Sequence, residues 1–124
     1  MSPVLLHAAA FYPEIGKIIL IGPYSSYYSI VCNHFYDPHF ILGTVPHSMG
    51  KYDLPDLAAS IAPRKLLIAG LTDGSGKISD TGVINDDLGI ITSSYTVKNA
   101  ASNLVIISSA NDPVIFNSVF ELLR

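Results

Sequence analysis

The stretch KLLIAG at residues 65–70 decides the fold, because its apolar residues follow one another without alternating with polar ones. Two runs of the same kind, KIILIG at 17–22 and NLVIIS at 103–108, precede and follow it. Uninterrupted apolar runs are typical of strands buried on both faces, as in a parallel sheet covered by helices. The connections between the runs are too long for hairpins and long enough for crossovers that carry a helix. The sequence therefore predicts three adjacent parallel strands.

Segments with helical character lie before, between and after these runs, at 3–12, 53–62, 95–102 and 112–124. Asp53 suits an N-cap, and Pro63 ends the helix that it opens. The alternation of helix and strand predicts an α/β fold, a three-layer sandwich around a short parallel sheet of about three strands. The crossovers are expected to be right-handed, in a single domain that spans residues 1–124.

Two further expectations concern the loops and the last helix. The segments 23–52 and 71–92 are predicted to be long loops, and loops of that size usually carry function or small extra elements. Asp112-Pro113 is expected to open the last helix. Its apolar residues, which are available to cover the sheet, are Val114, Ile115, Val119, Phe120, Leu122 and Leu123.

The composition is apolar for a domain of this length. Half of the 124 residues (49%) are hydrophobic and only 14% are charged, where about 25% is usual. Such a surface must expose apolar area or find a partner to cover it. The net charge of −3, with scattered Lys and Arg, argues against a nucleic-acid partner. No apolar run approaches the ~20 residues of a membrane helix, so no membrane span is expected.

The segment YDLPDLAASIAPRKLL at residues 52–67 resembles α/β-hydrolases of the acetyl xylan esterase and cephalosporin C deacetylase type. Members of that family carry a short helix and then Ala-Pro-Arg before a strand, here residues 62–64. The resemblance is best from residue 5 to 75, and it makes residues 5–22 similar to the helix behind the nucleophile and the next strand. It implies a carboxylic-ester hydrolase fold with Asp73, in the loop after the second run, as the triad acid.

The other two triad positions lack suitable residues. No G-x-S-x-G occurs, and Gly74-Ser75-Gly76 follows the wrong strand. The loop after the third run, 108–113, contains no histidine. Asn or Asp cannot replace an imidazole as a general base near neutral pH. The resemblance thus implies a truncated or degenerate esterase-like segment, inert as an isolated chain. The alternatives are a subunit that contributes the triad acid to a composite ester hydrolase site, and a non-catalytic binding module that uses the aromatic loop 24–40.

Three further patterns in the loops were weighed for ligand binding. Cys32, His34, His39 and His47 could suggest zinc, but their spacing matches no standard template, so we expect no metal site. The aromatic residues of 24–40 could line a substrate or sugar pocket, although packing or an interface is favoured. The run GLTDGSGK at 70–77 departs from the phosphate-loop pattern at two positions, and no cofactor is expected.

Association is expected at the first strand and first helix. In the fold that the chain resembles, the strand at 17–22 pairs with the strand leading to the nucleophile, which these residues do not include. Its edge should therefore be open and apolar, a surface that recruits another chain. Leu5, Leu6 and Phe11 of the first helix should be exposed for the same reason. The sequence predicts a homo-oligomer, with strand addition across this edge as the mode.

Overall fold

The computed structural model describes residues 2–78, 82–111 and 113–124, and within them a three-stranded sheet and five α-helices. The elements in chain order are α1 (Ser2–Phe11), β1 (Lys17–Ile21), α2 (Tyr27–Val31), α3 (Leu54–Ser60), β2 (Lys65–Ala69), α4 (Gly82–Val97), β3 (Leu104–Ile107) and α5 (Val114–Leu123). Two 3-10 helices, Pro38–Gly43 and Ala101–Asn103, lie in the connections. No helix of the described residues is long and apolar enough to cross a membrane.

The sheet has the order β1-β2-β3, and both pairings are parallel, as the three apolar runs predict. Ile19 lies opposite Leu67, and Leu67 lies opposite Val105. The central strand β2 is buried along almost its whole length, whereas both ends of β1 are exposed. A continuous apolar run predicts burial on both faces, and of β1 and β2 only β2 shows it. The predicted α/β fold is confirmed.

Helices cover the two faces of the sheet unequally. Ile18, Leu20, Leu66 and Ile68 project into a core shared with α1, α3 and α4, whose largest buried member is Tyr95. The alternate residues of the strands, among them Leu67, meet α5 on the other face. Because α5 is the only described helix in that second cluster, the second face is the thinner layer.

The prediction for residues 71–102 was wrong. In place of a loop to residue 92 and a helix over 95–102, α4 runs from Gly82 to Val97 and a 3-10 turn follows. Its inward stripe includes Ile84, Ile91 and Tyr95, while Gly, Ser and Thr residues lower its intrinsic helix propensity. Tertiary burial of the stripe overrides that propensity. Residues 79–81 of the predicted loop lie outside the described residues.

The first predicted loop, 23–52, contains the short helix α2 and the 3-10 turn Pro38–Gly43. The last helix begins after Pro113, and Asp112, expected to open it, lies outside the described residues. Ile115 and Leu122 of α5 are buried as expected. The expectation that the other apolar residues of α5 cover the sheet is wrong for Val114, Phe120 and Leu123, whose side chains are mainly exposed.

Arg64, from the Ala-Pro-Arg segment, fastens the start of β2 to the turn between α1 and β1. Its Nη1 donates to the carbonyl oxygens of Tyr12 at 3.2 Å and Ile15 at 3.0 Å, and its Nε donates to Ile61 O at 3.2 Å. Carbonyls at the end of a helix lack partners within the helix, so a cation there is stabilising. Arg64 thus has a structural role at the amino end of the sheet.

The backbone of this same segment accepts hydrogen bonds from the other side. Three side chains following or within α4 reach its carbonyls: Lys98 Nζ to Ala62 O at 2.7 Å, Asn103 Nδ2 to Pro63 O at 2.7 Å and Tyr95 OH to Arg64 O at 2.8 Å. Residues 62–64 therefore join α1, α4 and β2, and the most recognisable part of the sequence supports the fold far from the carboxyl end of the strands.

Candidate functional site

The loops that follow β1 and β2 remain paired beyond the ends of the strands. Thr72 N–H donates to Pro23 O at 2.9 Å, and Ser25 N–H donates to Thr72 O at 2.9 Å. The Thr72 hydroxyl also donates to Pro23 O at 3.1 Å. This pairing fixes the position of Asp73, the next residue, at the carboxyl end of the sheet, where open α/β sheets usually bind their ligands.

The carboxylate of Asp73 is engaged in its own turn. Its Oδ1 accepts from the N–H of Ser75 at 2.8 Å, from the Ser75 hydroxyl at 2.7 Å and from the N–H of Lys77 at 3.2 Å. Burial opposes its ionisation, but the hydrogen bonds from Ser75 and Lys77 and the Lys77 charge outweigh it and lower the pKa of Asp73. Asp73 is therefore an ionised carboxylate that stabilises a turn.

The loop after β3 lies beside the loop after β2, as a triad acid and base would require. A side chain at Gly70, which has a φ of +64°, would come within 2.5 Å of Ala110 N. Only glycine permits this approach, since it has no Cβ and adopts positive φ readily. The part of the loop after β3 that lies beside Gly70 consists of Ser108 to Asn111. The two loops therefore meet without an imidazole between them.

His39, which the sequence suggested as a candidate metal ligand, reaches the same region by another route, through Asp37. Asp37 N–H donates to Gly74 O at 3.1 Å, which ties the first loop to the turn of Asp73. The Oδ1 of Asp37 accepts from His39 Nδ1 at 2.8 Å and from His39 N–H at 2.9 Å, and its Oδ2 accepts from the Tyr24 hydroxyl at 2.8 Å. The sequence Asp37-Pro38-His39 gave the only indication, since Asp before Pro favours a turn in which Asp caps the residue two positions on.

Asp37 is the most strongly perturbed carboxylate of this group. The His39 N–H, the Tyr24 hydroxyl and the His39 ring lower the pKa of Asp37 to about 2. Burial and the hydrogen bond to Asp37 raise the pKa of Tyr24 to about 12. At neutral pH the pair is therefore a phenol that donates to a carboxylate.

Asp53 holds the first turns of two helices. Its Oδ1 accepts from Tyr27 N–H and from Leu54 N–H, both at 2.6 Å, and its Oδ2 accepts from Tyr28 N–H at 2.9 Å. The N–H of Asp53 in turn donates to Asp56 Oδ2 at 2.8 Å, which completes a capping box. The predicted N-cap of α3 is confirmed, and its second role at α2 positions the aromatic loop.

A buried carboxylate lies close to this junction. Asp87 is 8% exposed on the inward stripe of α4, next to the hydroxyls of Ser25 and Ser26. Burial raises the pKa of Asp87, the two hydroxyls oppose the shift, and the charges of Asp53 and Asp86 add to it. Asp87 Oδ2 itself has no hydrogen-bond partner among the described residues.

The candidate metal ligands do not converge. Within residues 2–78, 82–111 and 113–124, no group of three or more His, Cys, Asp or Glu side chains could hold a metal ion. Cys32, His34 and His47 are all exposed along the first loop.

The aromatic residues of 24–40 divide between the core and the surface. Tyr27 is buried and donates from its hydroxyl to Gly43 O at 2.7 Å, and the rings of Tyr36 and Phe40 pack edge to face at 5.2 Å. Tyr28 and Phe35 are exposed, by 54% and 84%. Tyr28 also lines a shallow cavity of about 310 Å³ that includes Tyr52, Asp53 and Asp56 among its walls. Part of the loop thus folds onto itself and part faces solvent.

Comparison with known protein families, with curated proteins and with solved structures finds no match. The function of the chain is therefore argued from its own residues.

Proposed function

We propose that this chain is an α/β-hydrolase-like segment, related to the acetyl xylan esterase type that it resembles, and catalytically inert toward unactivated acetyl esters, those of alkyl alcohols and sugars, as an isolated chain. The observation that carries the proposal is the state of Asp73. It follows the middle strand, where the resemblance expects the triad acid, yet its Oδ1 accepts three hydrogen bonds from its own turn.

The missing chemistry explains the expected inertness. Cleavage of an alkyl ester needs a nucleophile activated by a base, and the base must then protonate the leaving alkoxide. The sequence has no nucleophile elbow, and Ser108 to Asn111 occupy the place beside Gly70 where the base belongs. An orienting carboxylate alone leaves both proton transfers undone.

A composite site is the second candidate, and the open edge of β1 favours it. Gly22 N–H donates to Ala69 O, and Lys65 N–H donates to Gly16 O. Because successive residues of a strand point their backbone groups to opposite sides, these two bonds show that the N–H and C=O groups of the even-numbered residues of β1 face β2. The N–H and C=O groups of Lys17, Ile19 and Ile21 therefore point away from the sheet, where another strand can pair with them.

A second copy of the chain is the other partner that we propose for this edge, and because it has no G-x-S-x-G it would form a homo-oligomer without completing the composite site. The first helix adds apolar surface beside it, although less than the sequence predicts. Phe11 is 77% exposed, whereas Leu6 is buried at 3% and Leu5 is half-buried, so the expected exposure of all three is wrong for Leu6. A symmetric pair would satisfy the edge groups of β1 in both copies.

The test of the main proposal is acetate release from acetylated xylose by the purified 124-residue chain. We expect no rate above that of buffer, because enzymes without their triad retain a residual activity thousands of times below the intact level. Turnover that Asp73→Asn abolishes would refute the proposal. An upstream reading frame encoding G-x-S-x-G would favour the composite site, and its activity when mixed with this chain would test it.

A further inference from the structure

We propose that Asp37 and His39 form a carboxylate–imidazole dyad, and that the free ring nitrogen of His39 accepts acyl groups from activated acyl compounds such as aryl esters. The dyad lies in the first loop and uses none of the triad positions. It is independent of the proposed function, which concerns unactivated acetyl esters.

The contacts of Asp37 select the tautomer of the neutral His39 ring. An ionised carboxylate only accepts hydrogen bonds, so the 2.8 Å contact between His39 Nδ1 and Asp37 Oδ1 requires the hydrogen to be on Nδ1. The neutral ring then carries its lone pair on Nε2. In Ser-His-Asp enzymes the carboxylate holds the imidazole in this same tautomer.

The carboxylate itself is held in place from two sides. The Tyr24 hydroxyl donates to Asp37 Oδ2 at 2.8 Å, and the Asp37 N–H donates to Gly74 O at 3.1 Å. These bonds connect Asp37 to the loops after β1 and β2, which themselves pair through Thr72. The dyad is thus supported by the sheet, although it lies on a loop.

A small apolar cavity adjoins the histidine. It measures about 210 Å³, and His39 forms its wall together with Pro3, Val4, Phe40 and Leu42. This volume suits a short acyl chain and is too small for a drug-sized ligand. The His39 side chain is 85% exposed, so solvent reaches the ring.

The proposed reaction has two steps. The lone pair of His39 Nε2 attacks the acyl carbonyl carbon, an N–C bond forms, and the aryl oxide leaves with the electron pair of the C–O bond. Water then adds to the acyl carbon, the N–C bond breaks with its pair returning to Nε2, and the water proton passes to solvent. The products are a carboxylic acid and an aryl oxide, which becomes the phenol by taking up the proton released to solvent. An alkoxide is too basic to leave in this way.

The experiment measures p-nitrophenyl acetate hydrolysis by the wild-type chain, by His39→Gln and by the matched control His34→Gln, since His34 is an exposed histidine of the same loop. We expect His39→Gln to lower the rate by about tenfold or more, in line with an oriented imidazole, and His34→Gln to leave at least half of it. Equal losses in the two variants, or no loss in His39→Gln, would overturn the proposal.

A second readout tests the orientation without any variant. Nitrogen NMR of the wild-type chain should show the Nδ1–H tautomer for neutral His39, whereas free histidine favours Nε2–H. Finding Nε2–H at His39 would overturn the dyad. Asp37→Ala removes the acceptor and should shift the ring toward Nε2–H and slow the hydrolysis, and an unchanged tautomer in that variant would overturn the dyad. Acetate release from acetylated xylose is a separate measurement, so either proposal can fail alone.

Discussion

The carboxylate of Asp53 accepts the backbone N–H of Tyr27 at 2.6 Å, a contact that joins residues 26 positions apart in the chain. With its other oxygen it also accepts the N–H of Tyr28, and it remains the N-cap of α3. One side chain therefore accepts hydrogen bonds from the first turns of both α2 and α3. These bonds hold the aromatic loop, which contains α2, against the helix that precedes β2.

Asp53→Asn is expected to destabilise the chain by about 1–2 kcal/mol, although Asn and Asp are equally good at an ordinary N-cap. The amide retains a single acceptor oxygen, so it can cap α3 but loses a partner in α2. Urea unfolding measures the change. Glu14→Gln is the matched control, because Glu14 is exposed and its replacement also removes one negative charge. Equal stability of the two variants would show that Asp53 caps only α3.

Arg64→Lys is expected to cost about 1–2 kcal/mol, since a single ammonium cannot reproduce bonds from Nε and Nη1 to three carbonyls. The control is Arg124→Lys at the exposed pair with Glu121, where an ion pair contributes little. The urea concentration at the midpoint of unfolding should fall for Arg64→Lys and remain unchanged for Arg124→Lys. An unchanged midpoint for Arg64→Lys contradicts the structural role of the Ala-Pro-Arg segment.

Asp87→Asn is expected to raise the stability of the chain increasingly with pH. The folded-state pKa of Asp87 is raised above its ordinary value of 3.8. Its protonated form thus stabilises the fold below the unfolded-state pKa, and that stability is lost as the pH rises through the folded-state value. At pH 8 the Tm of Asp87→Asn should therefore exceed that of the wild-type chain, and the difference should vanish near pH 3.

The control for this pH dependence is Asp86→Asn, at the exposed neighbour on the same helix. It should change Tm little at any pH. If Asp87→Asn has the same small effect at pH 8 as at pH 3, the carboxylate ionises in the folded state without cost.

Light scattering at micromolar concentration should detect a dimer of the wild-type chain and a monomer of Ile21→Lys. Ile21 is 55% exposed and its backbone groups lie on the open edge of β1, so a charge there opposes pairing. Ile19 is the poorer probe because it packs against the second core cluster. Tyr28→Ser tests the aromatic loop instead. If Tyr28→Ser dissociates the dimer and Ile21→Lys does not, the interface lies at the aromatic loop. A monodisperse wild-type monomer contradicts association altogether.

The sheet could be predicted because an uninterrupted apolar run specifies a covered parallel strand without tertiary information. The helix α4 could not, since Gly89 and the Ser and Thr residues near its end give a weak local preference. Asp87 was missed for a related reason, because a charged residue within a helix is normally placed at the surface.

The candidate site was only half predictable. Asp73 was expected from the family resemblance, which places an acid in the loop after β2, whereas the contact that joins the Asp37–His39 pair to this loop is the bond from Asp37 N–H to Gly74 O. No spacing rule links residue 37 to residue 74. The absence of G-x-S-x-G and of a histidine at 108–113, in contrast, could be read directly from the sequence because it requires no geometry.

Gly74 has a consequence for the motions of the chain. A Cβ at this position would lie 2.2 Å from Ser29 O, so α2 rests directly on the backbone of the turn. Because the two backbones are in direct contact, we expect the turn and the helix to open together. Native-state hydrogen exchange should therefore find the amides of Asp37, Ser29 and Asp73 exchanging with one opening free energy, as a single cooperative unit that includes His39.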